Sequence, residues 1–218
     1  MIEKLRKYFE IELAGFAKAK RNQLHLELID DLAEENLEFE NILILLDEAK
    51  CKNIVIRQPF FEKIVYPILS VEVSQDNIQA IKSLIKLEQK LIQLQNKTKN
   101  FELSKLQLFL RGLQINPDDN ELLNMYELYL RDYLSYTIHE IPSGVLYDIN
   151  GASESECDEL IKLLKEYKKI CEKLHLNRTL LINECDFHFQ NYKAYLLSRS
   201  EFADYSDFLQ SKSRSSVL

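Results

Sequence analysis

Tryptophan is absent from the 218 residues, and glycine and proline occur only four times each. So few turn and breaker residues leave little material for the hairpins of a sheet protein, and the abundance of Leu, Ile, Glu and Lys favours helices joined by short connections. One Asn-Gly pair, Asn150-Gly151, carries a hairpin signature, and it stands alone. Cysteine is scarce as well. Cys51, Cys157, Cys171 and Cys185 show no CxxC spacing, which suits reduced thiols and a cytoplasmic protein. The longest unbroken aliphatic run, residues 42–46, is too short for a membrane span, and the mixed charges of Glu3, Lys4, Arg6, Lys7, Glu10 and Glu12 leave no apolar signal-peptide core. No membrane association is expected.

Basic residues are missing from one long window. Between Arg21 and Lys50 there is no Lys or Arg, while Glu27, Asp30, Asp31, Glu34, Glu35, Glu38, Glu40, Asp47 and Glu48 all fall there. With a net charge of −7 overall, nine negative charges in this window leave the rest of the chain at +2, since −7 minus −9 is +2. A general nucleic-acid binder needs the opposite surface, so no nucleic-acid partner is expected.

What is present reads as helix nearly throughout. Hydrophobic residues make up 46% of the chain and charged residues 29%, a globular balance. Apolar positions spaced by three and four predict helices over 2–20, 22–33, 36–50, 59–71 with a kink at Pro67, 76–95, 100–115, 118–137, 155–175, 178–197 and 201–210. Residues 51–58 read as a connection or short extended piece. Residues 138–153, with His139, Glu140, Pro142, Ser143, Gly144 and Gly151, read as the longest loop, and 211–218 as a flexible tail. At 113–137, Asn116-Pro117 closes one helix and Asp118 with Glu121 has the capping-box spacing that opens the next. The following helix is apolar or aromatic on nearly every side, which predicts that it lies between others.

Polar caps followed by acidic first turns recur at offsets near 40: 33–38 against 74–79, 70–73 against 112–115, and 121–123 against 159–161. This order suggests helical hairpins of roughly 40 residues stacked four times, although any helical protein reuses such caps. Phe109, Gly112 and Pro117, followed by Leu123, Tyr126 and Leu130, resemble the large, small and closing-proline positions of a tetratricopeptide repeat over about residues 100–137. Glu127 departs from that pattern, standing where the family has Gly or Ala. The resemblance implies an all-α solenoid with a concave surface for a peptide or protein, here one repeat domain over 1–210. An irregular helical bundle is the alternative.

Three constellations carry possible chemistry. Glu27, Asp30, Asp31, Glu34, Glu35 and Glu38 fall at steps of three and four and would form an acidic docking face for a basic protein or peptide. If the helix breaks near Ala33, the last three instead become favourable acids at a new helix start. Tyr126, Tyr129, Tyr133 and Tyr136 form a ladder that could grip a peptide beside His139, or supply core. Cys171, His175, Cys185 and His188 form a C-x3-H-x9-C-x2-H array, but both cysteines also continue apolar series, so no metal and no cofactor is assigned. No Walker loop, GxGxxG, HExxH or nucleophile elbow occurs, so no catalytic residue is assigned. These features lead to a non-catalytic protein-interaction module. The alternatives are an immunity or antidote protein covering a basic toxin such as a nuclease, and a small enzyme using the 138–153 loop.

Overall fold

The computed structural model describes residues 2–96, 104–143 and 153–215, and among these there is no strand. The all-α class is as the composition predicts. Packing gathers the chain into two compact units, Met1–Asp118 and Asp119–Leu218.

The first unit opens with α1 (Ile2–Leu13), α2 (Lys18–Ala33) and α3 (Phe39–Cys51). On α2 the buried residues His25, Leu28, Ile29 and Leu32 keep the i, i+3, i+4, i+7 spacing of one helix face. Gly15, at φ +68°, makes the turn between α1 and α2, a conformation that costs other residues more. Glu38 caps α3 in a capping box with Asn41. After a connection over 52–57, Pro59 starts α4 (Gln58–Phe60), which continues through a π-helical turn (Phe61–Val65) into α5 (Tyr66–Ser74). The cause lies at Pro67, which has no N–H for the helical ladder and whose ring crowds the preceding turn. The expected kink thus takes the form of a widened turn, with the Tyr66 N–H reaching back to the Phe61 carbonyl.

Next come α6 (Ile78–Lys86), capped by the Asn77 side chain at Gln79 N–H (3.0 Å), and α7 (Glu88–Gln95). The expected single helix over 76–95 is divided at Leu87. Finally α8 (Lys105–Ile115) starts from a Ser104–Gln107 capping box and packs on α6. Its expected beginning at 100 lies outside the described residues.

The second unit packs α9 (Asn120–Ser143), α10 (Glu154–Lys173) and α11 (Thr179–Leu197) against one another, with α12 (Tyr205–Ser215) on α11 after a 3-10 turn, Arg199–Glu201. Leu122, Tyr126, Leu130, Leu134, Ile138 and Ile141 form one buried stripe on α9. Its other side is not covered: Leu128, Tyr133 and Tyr136 are exposed, so α9 has a solvent face where burial all round was expected. Asp119 rather than Asp118 aligns with its first turn, accepting from Leu122 N–H at 2.9 Å. Helix also continues through Ser143, into what was read as loop, and residues 144–152 lie outside the described residues. Likewise α12 runs into the expected tail as far as Ser215, leaving 216–218 outside.

Between α10 and α11 the chain reverses within 174–178, where His175 adopts φ +54° and Leu176 N–H bonds to the Cys171 carbonyl at 2.8 Å. The Glu127 that broke the repeat pattern is buried here. It accepts from Tyr167 Oη at 3.0 Å and Arg178 Nε at 2.9 Å.

Candidate functional site

The six acids proposed as a docking face separate into two groups. Glu35, half-buried, is paired with Lys4, and Glu38 is spent on the α3 cap. Both therefore have structural duties; the helix does end at Ala33, but Glu34 is its C-cap, Glu38 is the N-cap of α3, and the acid in the first turn of α3 is Glu40, not one of these three. Glu27, Asp30, Asp31 and Glu34 remain exposed on α2 and its C-cap, and among the described residues none of them makes an ion pair. Of the aromatic candidates, Tyr126 belongs to the core, with its hydroxyl donating to Glu166 at 3.1 Å, Tyr129 is half-buried, and Tyr133 and His139 are exposed on α9.

The Cys/His array is dispersed by environment. Cys171 and Cys185 are buried, His175 is exposed in the turn, and His188 Nδ1 faces the Tyr205 hydroxyl at 3.3 Å. No group of three or more His, Cys, Asp or Glu suited to a metal ion exists among the described residues. Burial pushes the Cys157 thiol up to about 11 and the Cys185 thiol up to about 12, so both are held protonated at neutral pH.

A third site has no counterpart in the sequence reading. A pocket of about 820 Å³ in the first unit is lined by residues from α1, α2, the 52–57 connection, α4 and α7. At its base Glu12 accepts from His25 Nε2 at 2.6 Å, from Arg57 Nε and from Arg57 Nη2 at 3.1 Å, with Arg21 Nη1 4.0 Å away. The Tyr8 hydroxyl fixes the same corner, donating to the Val55 carbonyl at 3.1 Å and accepting from Arg57 N–H at 2.8 Å. Burial pushes the Tyr8 phenol up to about 12, so it stays a donor.

Because a carboxylate only accepts, His25 Nε2 carries the proton, and in the neutral ring Nδ1 is a lone-pair acceptor. His25 is 4% exposed, and its Nδ1 has no partner. Gln58 repeats this situation. Its amide N–H groups serve Glu62 Oε1 (2.8 Å) and the Lys90 carbonyl (3.1 Å), both acceptors, so Oε1 is the atom left over, buried and without a partner.

Charge in the pocket runs opposite to the chain. Arg57, Lys18 and Lys90 line it against one carboxylate, Glu12, a surplus of three minus one, or two positive charges. Burial, and then the charge of Arg57, hold Lys90 below the ordinary lysine range. Burial likewise holds His25 below its ordinary 6.5, against the pull of Glu12. For Glu12, burial favours the neutral acid, but the hydrogen bond and charge of Arg57 outweigh it and bring the carboxyl below its ordinary 4.5.

These shifts set a pH dependence. A depressed folded-state pKa means that the folded protein binds fewer protons than the unfolded chain, so stability is full above the unfolded value and declines as pH falls toward the folded one. Acidification should therefore destabilise the protein from about pH 6.5 downward through His25, with His188, also depressed by burial, adding to it, and again below about 4.5 through Glu12. Denaturant midpoints taken from pH 7.5 to 5 should fall, and fall less steeply in His25→Gln. An identical slope in that variant would exclude His25 as a contributor.

Compared with protein-family models, with curated proteins and with solved structures, the chain has no match. Among the described residues no helix is long and apolar enough to cross a membrane.

Proposed function

We propose that the chain is a non-catalytic protein-interaction module whose acidic α2 face receives a basic protein or peptide. The helical hairpins, exemplified by α10 and α11, would serve as a scaffold of the tetratricopeptide kind. One observation carries the reading: after Glu35 and Glu38 are withdrawn into structural roles, Glu27, Asp30, Asp31 and Glu34 still stand together in solvent, with no ion pair among the described residues and only the longer-range attraction of Lys4 at Asp31 and Glu34. Like charges three and four residues apart cost a helix a few tenths of a kcal/mol per pair, a standing penalty that a basic partner would relieve. Within a Debye length of about 8 Å at physiological salt, these carboxylates act as one field and would speed and select association by charge.

Asp30→Lys tests this. The new lysine gains opposite charges at Glu27 and Glu34, so the free protein should keep its melting temperature or rise slightly, by about 0.2–0.5 kcal/mol per pair. Capture of basic proteins from lysate of the source cell should fall several-fold, and capture by the wild type should weaken as salt is raised. If both proteins capture the same partners equally, the acidic face is only solvated and the reading fails.

A further inference from the structure

The pocket over Glu12 has chemistry that the acidic face does not use. Two of its lining residues, His25 and Gln58, each carry a buried acceptor without a donor, Nδ1 and Oε1, and a buried acceptor left dry and unpaired is costly. Native structures seldom leave two such acceptors at one pocket without a purpose. A ligand that satisfies them must bring hydrogen-bond donors. Cationic donors such as an ammonium group would be opposed by the positive surplus of Arg57, Lys18 and Lys90, so the donors must be neutral.

The same surplus calls for an anionic group elsewhere on the ligand. Lys90 is the best placed to receive it: its side chain is half-buried, Arg57 is already engaged by Glu12, and an anion would lift the penalty that burial and Arg57 impose on the ammonium. Of the remaining lining, Leu26, Ile29, Ile54 and Pro59 are aliphatic and suit the C–H faces of a carbon skeleton, while Asn22 and Asn53 add polar amides for its hydroxyls. Phe60 beneath it is fully buried and offers no ring face for stacking, which disfavours a nucleobase.

We propose that this pocket binds a small polyhydroxylated anion, a sugar phosphate or sugar acid, with its hydroxyls donating to His25 Nδ1 and Gln58 Oε1 and its anionic group on Lys90. The volume of about 820 Å³ lies within the range of small-molecule sites and accommodates a pentose phosphate. Neither part of such a ligand should suffice alone. The anion by itself leaves both acceptors unpaired, and the polyol by itself leaves the charge unanswered.

Calorimetric titration of the full chain with four probes tests this: ribose 5-phosphate, ribonate, ribose and inorganic phosphate. One or both of the first two should bind at least about tenfold tighter than either ribose or phosphate, and which of them does so identifies the anionic group. Lys90→Gln should weaken that binding about tenfold and Gln58→Leu several-fold, with circular dichroism confirming that each variant is folded. Asp30→Lys, on the outer face of α2, should leave it within about twofold, which separates failure here from failure of the protein-docking reading. The proposal is overturned if no probe binds, if phosphate alone binds as tightly as ribose 5-phosphate, or if folded Lys90→Gln and Gln58→Leu both bind like the wild type.

Discussion

Glu127→Ala should lower the stability of the Asp119–Leu218 unit by about 3 kcal/mol, the scale on which removing one member of a buried ion pair acts. Glu127 is 5% exposed and receives both the Tyr167 hydroxyl and the Arg178 guanidinium. Truncation deletes the carboxylate with which Arg178 is paired, and leaves the fully buried Tyr167 hydroxyl without the acceptor it donates to. Arg178 keeps about a third of its side-chain surface in water, which sets the figure at the lower end of the range for such pairs. Glu127→Gln retains an acceptor for Tyr167 and should cost less than half as much. Urea denaturation, followed through amide exchange on α9, α10 and α11, reads both. A loss below about 1 kcal/mol for Glu127→Ala would mean that the pair only offsets its own desolvation.

Phe60→Ala should be at least as damaging to the first unit, by about 3–5 kcal/mol. Phe60 has no exposed surface and its ring centroid lies 4.5 Å from that of Tyr8, whose hydroxyl positions Arg57. The truncation therefore removes apolar contact, opens space beneath the pocket and loosens the residue that holds Arg57 against Glu12. Val55→Ala, at a side chain 72% exposed in the neighbouring connection, is the matched control and should change stability by less than about 0.5 kcal/mol. Equal effects from the two substitutions would show that burial at Phe60 does not dominate the energetics of this corner.

Local signals carried much of the fold. Pro59 marks a helix start that the structure reproduces, whereas the capping boxes Ser104–Gln107 and Ser153–Glu156, equally local signals, place helix starts at Lys105 and Glu154 where periodicity alone put them at 100 and 155. The break at Leu87 was not legible, since Leu is a good helix former and no Gly or Pro stands near it. The extension of α9 to Ser143 had a signal that was overlooked: Ile138 and Ile141 continue the Leu134 stripe by four and seven residues, and this outweighs the breaker residues beyond them. The pocket cluster was hidden for a different reason. Glu12 is 13 residues from His25 and 45 from Arg57, and no periodicity connects groups joined only by packing.

The π-helical turn at Phe61–Val65 changes the direction in which the helix on either side of it faces. Each residue advances a helix by about 100°, so one extra residue in a turn rotates everything after it by that angle relative to everything before it. The segment ahead of Pro67 leans on α2, and the segment after it on α3 and α6. A single continuous rod thus presents two differently aimed faces, with Phe60, Phe61, Ile64 and Val65 buried ahead of Pro67 and Leu69 and Val73 buried after it. Deleting one residue within 61–65 would bring the helix back into phase and aim one half of its apolar surface at solvent.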